Sequence, residues 1–304
     1  MPLLAENFHV IAPDYPSLGY SDAPPPTAFL YTFDNMAKTI LELTDTIGFD
    51  SYTLYLTDFG ALIGWIIART RPERVTAVVS QNGPAYNVGV ISSEDEQWKA
   101  LIELTLNPTT ANKEAMAEVI SFKYTKQLYV TGAADLTMVS PDTYHLDYSR
   151  FQRPGQFDIQ IEFLISYCDY LLHRLPEAQA YLRQYQPRLL AIWGANDPFF
   201  PSGGAEAFKT DLPDAEVHLY DAGHFAIETH LIEIVNHMNA FLLPQPTAKP
   251  IAFTLASVVA APDAVVTVVP LALIALLVVL GTLGGAVLAK KVLFGRRRGY
   301  SHVP

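Results

Sequence analysis

An apolar strand that runs straight into a glycine-supported helix leaves a chain few folds to choose from. The stretch Tyr52-Thr-Leu-Tyr-Leu-Thr-Asp58-Phe-Gly60-Ala-Leu-Ile-Gly64 reads that way, with a sharp turn at Asp58. A strand this continuously hydrophobic belongs in a sheet covered on both faces, which is the setting of parallel sheets. The neighbouring sequence repeats the alternation. Phe8 to Ala12 is a short apolar run ending at Pro13-Asp14, and Gly19 to Pro26 is a loop rich in turn residues. Met36, Ile40, Leu43 and Ile47 recur at helical spacing after Thr32-Phe33-Asp34, and Gly48 closes that helix. A helix after Gly60 runs to about Arg71-Pro72, and Val75 to Ser80 is the next strand. Strands and helices alternating at this length predict an α/β fold with a mostly parallel sheet.

The pattern changes between residues 85 and 186. Helices are expected at Trp98 to Leu106, Lys113 to Tyr129 and Ile159 to Leu172, which suits a helical cap inserted into the core. Alternation then resumes, with strands at Arg188 to Trp193 and Glu216 to Tyr220 and helices at Gly203 to Lys209 and Ile227 to Leu242. The predicted division is core over 1–84, cap over 85–186 and core again over 187–243. A linker over 244–263, a transmembrane helix over 264–289 and a basic tail over 290–304 follow. The segment 264–289 carries no charge and exceeds the ~20 residues that cross a hydrocarbon core. It predicts a single-pass membrane protein with a lipid bilayer as partner, and Gly281 and Gly285 have the spacing of a close helix contact. Orientation stays open. The basic residues after the span favour a cytoplasmic C-terminus, whereas a tail anchor would place them across the membrane.

Charge and composition narrow the function. The 304 residues carry a net charge of −11, yet the last fifteen carry +5, so the body is strongly acidic. An acidic body argues against nucleic acid as a partner, because phosphate neutralisation needs a basic patch. Cys168 is the sole cysteine and reads as a core residue. No cluster with metal-ligand spacing and no phosphate-cradling glycine loop occurs, so no cofactor is expected.

Three residues carry the chemistry. Asp58 sits at the strand-to-helix turn, Asp197 in Trp193-Gly-Ala-Asn-Asp197-Pro just past a strand, and His224 in Asp221-Ala-Gly-His224-Phe just past the next. Alone, each is an ordinary turn residue. Together, each lies at the carboxyl end of a predicted strand, where open parallel sheets bind ligands. Their order is nucleophile, acid, histidine, that of triads built on a strand-turn-helix elbow. A carboxylate at such a turn can attack an electrophilic alkyl carbon and form an ester with the enzyme.

These residues, with His9-Val-Ile-Ala-Pro-Asp14-Tyr-Pro-Ser-Leu-Gly19-Tyr-Ser-Asp22 and Arg71-Pro-Glu-Arg-Val75, make the chain resemble the α/β-hydrolase superfamily. Within it the resemblance is to the group of epoxide hydrolases and haloalkane dehalogenases with an Asp nucleophile, over about Glu6 to Leu243. It implies an α/β-hydrolase fold with a helical cap and a small apolar epoxide, or a related small molecule, as substrate. Asp58 would form the alkyl-enzyme ester, and His224, oriented by Asp197, would activate the water that hydrolyses it. A cap tyrosine would protonate the epoxide oxygen. Tyr167 is the first candidate, and Tyr144 and Tyr170 are weaker ones. Phe59, directly after the nucleophile, lacks the side-chain donor that a departing halide would use. Leu56, two residues before the nucleophile, is large for a crowded elbow and predicts a somewhat relaxed turn.

The resemblance also implies strands before His9, the last of which would lie between the strands at Phe8 and Tyr52, and a His-Gly loop after it that donates to the oxyanion hole. Neither is found in this sequence, so the expected sheet has its first strands missing and a gap beside Tyr52. The backbone N–H of Phe59 is the one oxyanion donor predicted, and loss of a donor costs roughly 10²–10³ in rate. Three readings follow: a membrane-tethered epoxide hydrolase whose true start lies upstream, a non-catalytic membrane-anchored remnant, and a hydrolase of haloalkanes or esters.

Overall fold

The structure is a computed structural model that describes residues 1–90, 96–244 and 275–280. Its centre is a six-stranded parallel sheet formed by β1 (His9–Ile11), β2 (Tyr52–Thr57), β3 (Val75–Gln81), β4 (Leu189–Gly194), β5 (Glu216–Tyr220) and β6 (Ala275–Leu280). The spatial order is β1-β6-β2-β3-β4-β5. Side chains alternate across a strand, and the sheet sorts them into two apolar cores. Leu54, Leu56, Val78, Leu189, Ala191 and Trp193 enter one core, and Tyr55, Ala77, Val79, Leu190 and Ile192 the other. That two-sided burial is why these strands read as continuous hydrophobic runs.

Helices α1 (Phe33–Thr46) and α2 (Asp58–Thr70) follow the first strands. Thr32 caps α1, its hydroxyl accepting from Asn35 N. Between β3 and β4 come α3 (Glu96–Leu106), α4 (Thr110–Ala115), α5 (Phe122–Val130), α6 (Pro141–Phe151), α7 (Gln156–His173) and α8 (Leu175–Tyr185). Helices α9 (Gly203–Ala207), α10 (Ala226–Thr229) and α11 (Leu231–Leu242) complete the described chain. The single helix expected over Lys113 to Tyr129 is broken. A 3₁₀ turn spans Met116–Ile120, and Ser121 restarts the helix by accepting from Tyr124 N. The cap-forming serine competes with helix continuation, which hydrophobic spacing does not register.

The C-terminal expectation is corrected. No helix among the described residues is long and apolar enough to cross a membrane. Ala275–Leu280, inside the segment expected to span, is a β-strand. It lies parallel to both neighbours, with Leu276 opposite Val10 and Thr53 and Leu277 opposite Ile11 and Leu54. The expected gap beside β2 is therefore filled by β6. An apolar run reads alike as a buried parallel strand and as part of a membrane helix, because both lack a polar face. The single-pass localisation and the bilayer partner rested on that helix and fall with it. The expected linker from 245 to 263, the remainder of 264–289 and the basic tail lie outside the described residues. Leu277→Pro is expected to lower unfolding stability by about 1–3 kcal/mol, since proline removes an N–H from an interior ladder and leaves its acceptor unpaired. An unchanged denaturation midpoint would place residue 277 outside the sheet.

Candidate active site

Asp58, Asp197 and His224 come together where three parallel strands end. Asp58 is the first residue of α2, and its φ of 47° is the left-handed region that a non-glycine residue adopts at a cost. The elbow is therefore sharp despite Leu56, contrary to the relaxed turn expected. Gly64 makes room: a Cβ there would come within 2.1 Å of the Leu56 side chain. Missing side-chain volume at Gly64, nearly two turns along the helix, is what lets a large residue sit beneath the turn. The N–H groups of the first helical turn, Phe59 among them, have no intrahelical acceptor and favour negative charge at this end.

His224 is held on one side only. Its Nδ1 lies 2.9 Å from Asp197 Oδ2, and its Nε2 faces Asp58 Oδ2 at 3.8 Å without a hydrogen-bond partner. Asp58, Asp197 and His224 are 4%, 5% and 1% exposed, so little solvent screens them. Burial opposes protonation of His224, but the Asp197 carboxylate, helped by that of Asp58, outweighs it and raises the pKa to about 10. The loops carrying Asp197 and His224 meet backbone to backbone. A Cβ on Gly194 would lie 1.9 Å from the Gly223 carbonyl oxygen, so glycine is required at that approach.

Asn82 is a site residue that sequence reasoning missed. It follows β3 with φ 45° and is fully buried. Its Nδ2 donates to Asp197 Oδ2 at 2.7 Å, and its Oδ1 accepts from Gly194 N at 2.9 Å. Phe199 N donates to Asp197 Oδ1 at 2.8 Å. Asp197 is thus oriented by two donors besides His224. In sequence Asn82-Gly83 after a strand reads as a turn dipeptide, and its role follows only from the pairing of β3 with β4 in the sheet. Asn82→Asp preserves shape and tolerates the left-handed φ, but it replaces the donor with a second carboxylate. The expected loss is about 1–3 kcal/mol or more near neutral pH. Burial and Asp197 raise the pKa of the introduced carboxyl above its unfolded value, so the loss should shrink as pH falls and the group takes up a proton. Urea unfolding at pH 5 and pH 8 checks this, and an equal loss at both would contradict it.

Above the triad is a cavity of about 370 Å³. Asp58, Phe59 and His224 form its floor, and Phe199 and Phe200 stand beside them. Leu164 and Tyr167 of α7 and Tyr124, Gln127 and Leu128 of α5 wall it. The Tyr167 ring packs on Phe59 with centroids 4.6 Å apart, and Tyr124 meets Phe199 edge-on at 5.9 Å. Burial, then the charge of Asp58, raises the pKa of both phenols. Both are therefore neutral hydroxyls at physiological pH, able to donate a proton. Of the tyrosines weighed in the sequence, Tyr167 lines the cavity, whereas Tyr144 and Tyr170 do not. Tyr124 is one of sixteen tyrosines and has no distinguishing local pattern in the sequence. Among the described residues no group of acidic, histidine or cysteine side chains is placed to hold a metal ion.

Comparison with known proteins agrees with this architecture. The family model described as alpha/beta hydrolase fold matches residues 1–116 and 131–231. An uncharacterized hydrolase of Saccharomyces cerevisiae is 34% identical over 247 residues, covering 78% of this chain and 81% of that one. Cfl2 from Burkholderia cenocepacia superposes with a TM-score of 0.65 at 19% identity, over 80% of this chain and 82% of its own. The ligand-free epoxide hydrolase CorEH superposes with a TM-score of 0.60 at 18% identity, over 79% of this chain and 83% of its own. At these identities the two structures speak for the fold alone.

Proposed function

The chain belongs to the alpha/beta hydrolase family, and on that premise we propose that it hydrolyses small apolar epoxides through an ester on Asp58. One observation carries the reading. The residue at the strained elbow is a carboxylate facing an unpartnered histidine nitrogen, under a largely apolar cavity with two tyrosines in its walls. Asp58 attacks a ring carbon, forming a C–O bond as the ring C–O bond breaks. Tyr167 or Tyr124 donates its proton to the departing ring oxygen. The product of this step is a hydroxyalkyl ester of Asp58.

Esterification removes the Asp58 charge that helps to keep His224 protonated. The phenolate recovers a proton from solvent, and His224 gives up its own proton to solvent and becomes competent as a base. Asp197 and Asn82 keep its Nδ1–H oriented, and its Nε2 takes a proton from water. The water oxygen adds to the ester carbonyl, with Phe59 N–H stabilising the oxyanion. Collapse expels the diol oxygen, which takes the proton of the new carboxylic acid, so the diol leaves and the Asp58 carboxylate and the His224 cation are restored. Halide release is the weaker alternative, because Phe59 offers no side-chain donor to a leaving halide.

A single turnover in H₂¹⁸O tests the ester. The first diol should carry unlabelled oxygen, and Asp58 should gain the label. Labelled oxygen in the first diol would mean that water attacks the epoxide directly and would overturn the assignment of Asp58 as nucleophile.

A further inference from the structure

Helix α7 carries Tyr167 and is fastened to the core at several points. At its start, Arg153 donates Nη1 to the Ser21 carbonyl at 3.0 Å and Nη2 to the Ser17 carbonyl. Gln156 Nε2 also donates to Ser17, at 2.9 Å. At its end, the Arg174 guanidinium forks onto Asp34 in the first turn of α1, at 2.6 and 3.0 Å. Between these lies Ser166. Serine within a helix usually bonds back to its own preceding turn. Here the hydroxyl oxygen accepts from Phe33 N, 3.2 Å away, on another helix.

That N–H is the first of α1 and has no acceptor within its own helix. The Phe33 side chain is fully buried, with its ring 5.6 Å from Phe59 and 6.4 Å from Tyr167. Phe33 thus touches both the residue after the proposed nucleophile and the proposed acid. Ser166 fixes the backbone of Phe33 to the residue beside Tyr167. Slippage of α7 by one residue would carry Tyr167 about 1.5 Å along the helix axis. A displacement near 1 Å can cost about 10²-fold in rate.

We infer that Ser166 is a positioning residue: by accepting from Phe33 N it sets where the Tyr167 hydroxyl stands above Asp58. The inference rests on the epoxide reading of the site. It assigns Ser166 to ring opening, which needs an acid at the substrate oxygen, and not to ester hydrolysis, which does not.

Rapid-quench measurements on the full chain with a reactive aryl epoxide separate the two steps. Ser166→Ala should slow ester formation between about 10- and 100-fold and leave ester hydrolysis within about 2-fold. Ser166→Thr, which keeps the acceptor, should restore most of the lost rate. In a Tyr167→Phe background Ser166→Ala should have no further effect. Equal slowing of both steps, an unchanged rate of ester formation, or an effect that persists without the Tyr167 hydroxyl would each overturn the inference. Fluorotyrosine at position 167 gives a second readout that needs no substrate. Its ¹⁹F line should shift or broaden in Ser166→Ala and recover in Ser166→Thr, and an unchanged line overturns the positioning role. If the wild type forms no ester at all, the epoxide reading fails, and the ¹⁹F line still decides for or against Ser166.

Discussion

His224→Gln is expected to stop the protein halfway, with the substrate bound covalently to Asp58. The resting site favours the protonated form of His224, its pKa raised to about 10 because Asp197 and Asp58 together overcome the penalty of burial. In the proposed mechanism attack by Asp58 uses up one of those two charges, so the imidazole would lose its proton more readily in the ester than in the free enzyme. The base is therefore created by the first step. Glutamine fills similar space and can donate to Asp197, but it cannot accept a proton from water. Loss of a general base costs about 10²–10⁴ in the step that uses it, so ester formation should continue while ester hydrolysis falls by that factor. Intact-mass measurement should show the protein plus one substrate, with the added mass on the peptide that holds Asp58. An absence of adduct together with unchanged turnover would remove His224 from the mechanism.

The same charge arrangement makes two pH statements. Ester hydrolysis in the wild type should rise with pH to a plateau, with its midpoint below 10, because His224 must be neutral to act and one neighbouring carboxylate is masked. A rate that stays flat from pH 5 to pH 9 would contradict this. In the free protein the folded pKa of about 10 lies above the unfolded value of 6.5. The folded state therefore binds more protons between these values, and the stabilisation present below pH 6.5 is lost as pH rises towards 10. Stability of His224→Gln should depend less on pH over that window than stability of the wild type.

The grouping of Asp58, Asp197 and His224 is legible in the sequence because each follows a strand, and strand ends in a parallel sheet converge on one edge. Order along the chain does the rest, separating Asp58, Asp197 and His224 from the many other turn residues. Residues that hold the triad are less legible. Asn82 acts through β3 and β4 lying side by side, a neighbour relation that no local pattern encodes, and its dipeptide looks like any turn. Tyr124 reaches the cavity because Ser121 restarts a helix just ahead of it, whereas hydrophobic spacing alone runs one helix through that point. The C-terminal apolar run is the clearest failure. Its backbone hydrogen bonds in β6 go to β1 and β2, partners more than two hundred residues away in the chain. Hydropathy records that a segment avoids water, not what covers it.

Removing the two phenols should produce the opposite kinetic picture from removing His224. Tyr124 and Tyr167 approach the cavity from different helices, α5 and α7, and burial with the charge of Asp58 keeps both protonated. An ordinary alkoxide binds a proton more strongly than a phenolate, and attack by Asp58 would remove the charge that helps to hold the phenol proton. Each hydroxyl also supplies a hydrogen bond that strengthens as charge grows on the departing oxygen, so its stabilisation is greater in the transition state than in the bound substrate. Tyr167→Phe and Tyr124→Phe should each slow ester formation about 10-fold or more, and the double variant should fall within the 10²–10⁴ range for loss of acid catalysis. Ester hydrolysis should be nearly unaffected in all three, since its proton moves through His224. Little ester would then accumulate during steady turnover, where His224→Gln accumulates it fully. Any slowing should ease with epoxides whose opened oxygen is a better leaving group. If both single variants match the wild type and the double variant does too, the ring oxygen takes its proton from elsewhere in the cavity, and the assignment of these hydroxyls is wrong.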